Sequence, residues 1–394
     1  MKTKFFLGSL IALALTFNSC SSDDNGDVII NTTVDDNSDD GSTVDPANLI
    51  GGTLTEDLTL DSGEFVLTEA LIVPDGITLT INPGVVIRAD IGSDVFVAIA
   101  QGGMINAEGT STNPIVFTSN DATPNPGDWG GLIILGRAPI NSVVGGDATS
   151  TSEIGGLPYG GSSADDNSGI LRYVRVEFSG GSASASSENN GFSFYGLGNG
   201  TTIEYIQAFE GLDDGVEFFG GTVNANYVSV IGAQDDSVDW TEGFTGTLTD
   251  VYIEHRQAHD KGIEGDGFNT DIGNNSDSGF FSAPTINGLS IVGLGSTNEN
   301  EAIRLRAGTR AIFNNVFIQG FEEGYDLDGD DGDSPTGQGV LDGATGVTDI
   351  TFDDVLEFLQ NDTGAMFDQD DFFIGIGNGT GTDYDSWRTG WTRN

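Results

Sequence analysis

The central part of the chain repeats a short pattern of apolar residues. Seven segments each carry three apolar residues, and the last two of each triplet are two positions apart. The triplets are Leu171/Val174/Val176, Ile203/Ile206/Ala208, Ala225/Val228/Val230, Leu248/Val251/Ile253, Ile286/Leu289/Ile291, Phe313/Val316/Ile318 and Val347/Ile350/Phe352. A spacing of two is the period of a β-strand that buries one face. Strands that recur so closely, with almost no helix between them, predict a solenoid.

A second set of short strands follows the first. Each member comes about ten to fourteen residues after the central apolar residue of its triplet, as expected for two faces of one coil. The members are Val216-Glu217-Phe218, Val238-Asp239-Trp240, Ile263-Glu264, Ile303-Arg304-Leu305 and Tyr325-Asp326-Leu327. Coils stacked at about 4.8 Å would form a rod with apolar columns inside and polar ladders outside.

Turn residues separate further strands nearer the N-terminus. Asp75-Gly76 and Pro83-Gly84 mark turns, and Pro114–Ser119 and Asp128–Gly136 follow as apolar runs. Together these segments resemble secreted bacterial proteins of the right-handed parallel β-helix type. The resemblance implies an all-β fold, a right-handed single-stranded parallel β-helix over residues 49–352.

An open solenoid needs a cover at its ends, because an exposed coil is an unpaired strand edge. Residues 353–394 are therefore expected to form a small C-terminal cap. Residues 353–360 are predicted as a short helix, with Asp353 as N-cap and an apolar stripe at Val355, Leu356, Phe358 and Leu359. Trp387 and Trp391 are expected to dock and bury apolar area. The alternative is an aromatic platform for a glycan.

The N-terminus carries a secretion signal over residues 1–19. Lys2 and Lys4 precede an apolar stretch that is too short for a stable membrane span, and the only cysteine, Cys20, follows. This order resembles a bacterial lipoprotein signal, which implies that Cys20 is lipidated after cleavage. The alternative is an ordinary signal peptide with Cys20 near the cut.

Residues 20–48 form an acidic, polar tract with few apolar groups, which is expected to stay disordered as a tether. Ser22-Asp23-Asp24 resembles the export signal of lipoproteins in Bacteroidetes-type bacteria. The resemblance implies an outer-membrane protein, held by its lipid and facing the cell exterior.

The charge of the chain narrows the class of partner. Sixty-one acidic residues against 13 basic ones give a formal net charge of −48. Such a surface repels nucleic acid and anionic headgroups, which excludes nucleic acid as a partner. It favours divalent cations, basic partners or neutral glycans, and it also promotes solubility.

Polar residues concentrate in the middle coils. Asp213-Asp214 is followed 22 residues later by Asp235-Asp236, and the next coil carries His259 and Lys261. In register, the coils would place Asp214, Asp236 and Lys261 above one another. Two coils further on, Arg304 and Arg306 occupy the same column.

This order resembles the polygalacturonases, which also use a β-helix. The resemblance matches Asp214 to the first aspartate of that family, Asp235 and Asp236 to its aspartate pair, and Arg304 and Arg306 to its basic couple. It implies that one carboxyl group protonates the leaving oxygen, two activate water, and the arginines bind a uronate. Lys261 stands where the family has a histidine, and His259 is displaced by two positions, so the chain departs from the family's pattern there. Both residues are candidate substrate-binding residues.

A polysaccharide lyase is a further alternative. It would need calcium on stacked carboxylates and a basic side chain near the sugar C5 proton. Candidate calcium ligands are Asp213, Glu217, Asp235 and Asp239, and candidate bases are Arg256 and Lys261.

Alternating carboxylates also follow the last coil strand. Asp326, Asp328, Asp330 and Asp333 resemble a calcium-binding loop. Asp331 stands where an EF-hand needs glycine, and Gly337 stands where it needs glutamate. The residues therefore predict a looser calcium site, with a solvated acidic loop as the alternative.

The leading hypothesis is a non-enzymatic surface lipoprotein. Its acidic β-helix would bind a glycan or an outer-membrane protein, with calcium as the cofactor. The rival hypothesis is a polysaccharide-cleaving enzyme that uses Asp214, Asp235 and Asp236. That enzyme needs the three carboxyl groups to face one outer groove, with Arg304 and Arg306 opposite.

Overall fold

The computed structural model describes residues 48–142, 149–182, 188–256, 259–268, 280–298, 301–329 and 336–394. In this part of the chain, 22 strands join in one sheet system that winds as a parallel β-helix, and only three short helices interrupt it. The fold predicted from the apolar repeat is therefore confirmed. The predicted signal peptide, Cys20 and nearly all of the predicted tether lie outside the described residues. No helix in the described ranges is long and apolar enough to cross a membrane.

The elements follow one another along the chain with short turns. The strands are β1 (Leu49–Thr53), β2 (Leu58–Leu60), β3 (Glu64–Val73), β4 (Thr78–Ile81), β5 (Val86–Ala89), β6 (Val97–Ile99), β7 (Met104–Glu108), β8 (Ile115–Ser119), β9 (Leu132–Leu135), β10 (Thr149–Thr151), β11 (Pro158–Gly160), β12 (Gly169–Glu177), β13 (Phe192–Tyr195), β14 (Thr202–Phe209), β15 (Val216–Phe219), β16 (Asn224–Ile231), β17 (Val238–Thr241), β18 (Thr247–Glu254), β19 (Ile263–Asp266), β20 (Thr285–Val292), β21 (Glu301–Arg306), β22 (Ile312–Leu327), β23 (Gly346–Asn361) and β24 (Phe373–Ile376). The helices are α1 (Thr336–Leu341), α2 (Gln369–Phe372) and α3 (Tyr384–Trp387). Among the strands of the described ranges, β10 and β11 alone pair antiparallel, in a separate hairpin.

Strand pairing divides each coil into three faces. The first face holds β2, β4, β7 and the first halves of β12, β14, β16, β18, β20, β22 and β23. The second face holds the first half of β3, then β5, β8 and the second halves of the strands from β12 onward. The third face holds the second half of β3, then β6, β9, β13, β15, β17, β19, β21 and the ends of β22 and β23.

A single residue in the left-handed region turns each later coil from the first face to the second. These corner residues are Tyr173, Tyr205, Tyr227, Asp250, Gly288, Asn315, Asp349 and Gly375, with φ between 52° and 78°. The corner explains why the first two apolar residues of each triplet are three apart. Leu171 and Val174 lie on either side of it, and both are buried in the core. The spacing of three therefore marks a bend of the chain, and the spacing of two marks a strand.

Tyrosine is unusual at positive φ, because its bulk makes that conformation costly. Here the corner tyrosines stack on one another outside the core. The ring centroids of Tyr173 and Tyr205 are 4.3 Å apart, and those of Tyr205 and Tyr227 are 4.2 Å apart. Stacking of neighbouring coils thus offsets the backbone strain.

The helix predicted over residues 353–360 is wrong. This segment is the second half of β23, and it pairs in register with β22, Val355 opposite Phe321 and Leu359 opposite Tyr325. The apolar stripe that suggests a helix serves a strand instead, because β22 offers a free row of backbone hydrogen-bonding groups. Pairing with the previous coil overrides the local pattern.

The C-terminal segment returns along the outside of the first two faces. Tyr384 hydrogen-bonds Ser229 through its hydroxyl at 2.9 Å, and the backbone N–H of Arg393 donates to Gln207 at 2.7 Å. Trp391 is 0 % exposed and makes T-shaped ring contacts with Tyr173 and Tyr205. The terminal aromatic residues therefore dock, as expected, and cover the tyrosine stack.

Replacement of Trp391 by alanine tests this docking. Loss of a fully buried tryptophan typically costs about 3–5 kcal/mol. We predict that Trp391→Ala releases the C-terminal segment and speeds hydrogen exchange at the Arg393 N–H. Exposed Ile374 provides the control, because Ile374→Ala leaves this exchange unchanged. Equal protection of Arg393 in wild type and Trp391→Ala would contradict the docking.

Candidate functional site

Acidic side chains form a ladder on the outer side of the third face. In-register pairing aligns Ser193, Glu217, Asp239, Glu264, Arg304, Asp326 and Gln360 along the axis. Paired strands lie about 4.8 Å apart, so three carboxylates in a row stand close together. The ladder then changes to arginine at Arg304, as the repeat predicts.

The turns that lead into this face carry Asp214 and Asp236. The backbone N–H of Asp236 donates to Oδ1 of Asp214 at 2.9 Å, and the N–H of Lys261 donates to Oδ1 of Asp236 at 2.8 Å. The predicted stack of Asp214, Asp236 and Lys261 is therefore present. Both aspartates are buried, however, at 7 % and 5 % exposure, and they cap turns.

This geometry differs from the one that a hydrolase needs. Three carboxyl groups must face a groove that the glycan can enter. Asp235 is half-buried, but Asp214 and Asp236 bind backbone of the next coil. The structure therefore does not place these two residues as the polygalacturonase resemblance implies.

The predicted basic groups are held by the protein's own carboxylates. Arg306 Nε lies 2.6 Å from Asp266 Oδ1, and the same guanidinium also contacts Glu264. Arg304 Nε donates to Asp328 Oδ2 at 3.0 Å. Neither arginine is therefore available as the free uronate clamp that the resemblance implies.

Lys261 is buried among three acidic residues. Its Nζ lies 2.6 Å from Asp260, 3.3 Å from Glu264 and 3.7 Å from Asp236. Burial alone would lower the pKa of Lys261, but Asp236 and Glu264 outweigh it and raise that pKa above its ordinary value. The raised pKa favours the protonated form of Lys261, which disfavours a role as general base.

His259, the other predicted binding residue, is half-buried and stacks on His255 with ring centroids 4.6 Å apart.

The predicted calcium loop is only partly described. Asp328 binds Arg304, and Asp326 lies 3.8 Å from the same guanidinium. Asp330 and Asp333 lie outside the described residues, so a calcium site there stays a prediction.

Four overlapping groups of acidic residues bring three carboxylate oxygens within 4.8 Å of one another. The groups are Glu188/Asp213/Asp235, Asp214/Glu217/Asp239, Asp214/Asp235/Asp236 and Asp236/Asp239/Glu264. Asp239 belongs to two of them, and its Oδ1 is buried without a hydrogen-bond partner among the described residues. Carboxylate oxygens are the ligands that calcium prefers. The donor set therefore fits a hard divalent cation.

The carboxylates repel one another when no cation is bound between them. Burial, followed by the neighbouring carboxylates, raises the pKa of Asp214, Glu217, Asp236 and Asp239 well above the ordinary value. The same causes, with Glu188 and Asp235 the nearest charges, raise the pKa of Asp213 to about 8. The raised pKa values favour protonation or cation binding over full ionisation of the cluster.

Sequence reasoning missed two members of these groups. Glu264 follows Ile263 just as Glu217 follows Val216, so Glu264 could have been identified as a candidate from the repeat. Glu188 comes from the loop before β13, which has no counterpart in the repeat. Its approach to Asp213 and Asp235 is visible only in the folded chain.

Comparison with known proteins gives one match. A family model described as a pectate-lyase-like beta helix domain matches residues 52–392. No curated protein and no solved structure matches the chain.

The raised pKa values predict how stability depends on pH. The pKa of Asp213 is about 8 in the folded chain, against about 3.9 for an unfolded aspartate. The folded state binds more protons, so this stability is present at low pH and is lost as pH rises from about 4 to about 8. We predict that Tm in chelator falls over this range and that calcium restores it. At about 100 times Kd, a ligand of the folded state adds about 2.7 kcal/mol.

Replacement of Asp239 by asparagine separates repulsion from cation binding. Asp239→Asn removes one charge from two carboxylate groups. We expect a higher Tm in chelator near pH 8, together with a smaller increase on adding calcium, both measured by scanning fluorimetry. Exposed Glu56, far along the chain from this site, provides Glu56→Gln as the control. An equal calcium increment in wild type and Asp239→Asn would contradict a cation at this ladder.

Proposed function

Since the chain belongs to the pectate-lyase-like beta helix family, we propose that it binds an acidic polysaccharide through calcium held on the third face. The observation that carries the proposal is the set of overlapping carboxylate groups centred on Asp239. A surface of this charge repels a uronate polymer unless cations lie between them. Bound calcium supplies the positive charge that both partners share.

Glu217, Asp239 and Glu264 would hold the cations, with Asp214 and Asp236 behind them. These residues lie in register on successive strands, so the sites repeat along the axis. A linear polymer with regularly spaced carboxylates matches such a row. Rigid strands hold the donors in place, which limits the entropy lost on binding.

Arg304 and Arg306 continue the outer surface of the third face beyond the carboxylates. Their guanidinium groups are partly exposed while they bind Asp328, Asp266 and Glu264. The two arginines therefore hold Asp328, Asp266 and Glu264 in place, and they reduce the negative charge at the arginine end of the carboxylate ladder. This favours a binding surface with a defined direction along the rod.

Cleavage of the polysaccharide is the second candidate, and the family match favours it. β-Elimination needs a base that removes the C5 proton of a uronate. Among the predicted bases, Lys261 is buried and paired, and Arg256 binds Glu210 at 2.6 Å. The geometry thus supports binding better than cleavage.

The test uses the purified protein with polygalacturonate, alginate and a neutral glucan, with calcium or with chelator. We predict binding of the acidic polymers in calcium only, measured by isothermal calorimetry. A Glu217→Gln/Asp239→Asn variant should bind at least tenfold more weakly, because two charges leave the cation groups, whereas Glu56→Gln/Glu69→Gln should bind as wild type. Calcium-independent binding of the neutral glucan would contradict the proposal.

The same mixtures decide between binding and cleavage. Absorbance of unsaturated uronate ends would establish a lyase, and new reducing ends without that absorbance would establish a hydrolase. Unchanged polymer length in the presence of tight binding supports a binding protein.

We further propose that the protein is anchored in the outer membrane by lipid on Cys20 and faces the exterior, where such polymers are met. The supporting feature is the resemblance of residues 1–19 and the following Cys20 to a bacterial lipoprotein signal. Cys20→Ala should move the protein from the membrane fraction to the soluble fraction. Protease added to intact cells should degrade the wild-type protein, and full protection would contradict an exterior location.

A further inference from the structure

The last coil of the β-helix leaves part of a strand edge unpaired. β23 pairs with β22 along its whole length, but on the other side β24 pairs only with Val347, Thr348 and Ile350. Within the described residues, no strand pairs with the outer edge of residues 351–361. This edge turns a corner at Asp354, whose φ is 51°, and its straight part on the third face, residues 355–361, is about 23 Å long at about 3.3 Å per residue. It is long enough to receive an added strand.

The apolar core is incompletely covered beside this edge. Ile376 continues the column of Val316 and Ile350, which are both buried, yet Ile376 is 41 % exposed. Leu356 in β23 is 66 % exposed, and nearby in the chain Met366 is 90 % exposed. Phe358 and Leu359 pack against the core and stay only half-buried. One further strand would remove this apolar surface from water.

The charge beside the edge indicates which strand would fit. Glu301, Glu323 and Glu357 are in register on three successive strands, with exposed Glu322 next to them. Burial, then the nearby Glu301 and Glu357, raise the pKa of Glu323, which reports their mutual repulsion. A second copy of this edge would add more carboxylates to the row. Lysine or arginine on an incoming strand would relieve the repulsion instead.

We propose that residues 355–361 receive an extended basic segment of a partner protein as an added β-strand. Backbone hydrogen bonds along the free edge supply affinity, and basic side chains beside the glutamate row supply specificity. Apolar side chains on the inner face of the segment cover Leu359, which continues the column of buried Tyr325. This surface is at the end of the rod, separate from the carboxylate groups centred on Asp239.

Acidic residues on a strand edge can also serve only to prevent aggregation. That role needs charge alone and gains nothing from exposed apolar residues. The uncovered Ile376 and Leu356 lie beside a paired and buried core, where a protective edge would place polar groups. The combination therefore fits a docking site better than a blocked edge.

The experiment uses three fluorescent decapeptides with the full-length protein: alternating Lys and Val, alternating Glu and Val, and alternating Lys and Pro. The Lys/Pro peptide keeps the charge but lacks the backbone N–H groups on half of its residues. We expect the Lys/Val peptide to bind at least tenfold more tightly than either of the others, measured by fluorescence anisotropy. Hydrogen exchange should then show new protection within residues 355–361.

Charge reversal at the edge provides the matched test. Glu322→Lys/Glu357→Lys should weaken the Lys/Val peptide at least tenfold and strengthen the Glu/Val peptide. Glu56→Lys/Glu69→Lys makes the same change in net charge at the N-terminal coils and should leave both affinities as in wild type. Asp239→Asn should also leave them unchanged, which separates this proposal from polysaccharide binding.

Three outcomes would overturn the proposal. Equal binding of the Lys/Val and Lys/Pro peptides would show attraction by charge alone. Concentration-dependent dimers in sedimentation, lost in Glu322→Lys/Glu357→Lys, would identify a second copy as the occupant. Absence of binding by all three peptides would identify the acidic residues as a block against pairing. The peptide comparison on wild-type protein stands even where a variant fails to fold.

Discussion

In-register parallel pairing between coils is the constraint on which the rest of the structure depends. It places each residue directly above its equivalent in the previous coil, so apolar residues such as Ile206, Val228 and Val251 form one continuous column. The same pairing stacks the corner tyrosines, whose ring contacts offset their strained backbone. Similar residues therefore stack on one another in most columns of the rod. This stabilises apolar and aromatic columns, and it is unfavourable wherever the repeated residue is charged.

The carboxylates of the third face show three ways to relieve that repulsion. Asp214 and Asp236 accept backbone N–H groups from the next coil, which favours their charged form. Glu264 meets Arg306, a neighbour of opposite charge. Glu217 accepts a hydrogen bond from Asn190 and Asp239 interacts with Arg306, yet burial and the neighbouring carboxylates raise the pKa of both well above the ordinary value. The relief left for them is a proton or a bound cation, and only the cation can also attract an acidic ligand.

Much of the arrangement on the third face could be predicted from the sequence, because the repeat shows which residues of successive coils lie above one another. The stack of Asp214, Asp236 and Lys261 and the change to arginine at Arg304 both follow from register alone. The burial of Asp214 and the pairing of Arg306 could not be predicted, since register does not say whether a turn faces inward or which carboxylate a long side chain reaches. The predicted helix over residues 353–360 failed for a related reason. A short apolar run fits either period, and the edge of β22 decided between them.

The ends of the rod follow from the same pairing rule. Each coil satisfies the edge of the one before it, so a finite β-helix always has a last edge to be covered. Here the first part of that edge meets β24, and Phe372 and Phe373 close the core over Tyr325. The C-terminal segment then leaves and docks on the side of the rod, where Trp391 is buried against the tyrosine stack. The last aromatic residues thus dock on the side, and no strand of the described residues pairs with the outer edge of the second half of β23. An unpaired edge beside apolar residues is where a partner gains most by adding a strand.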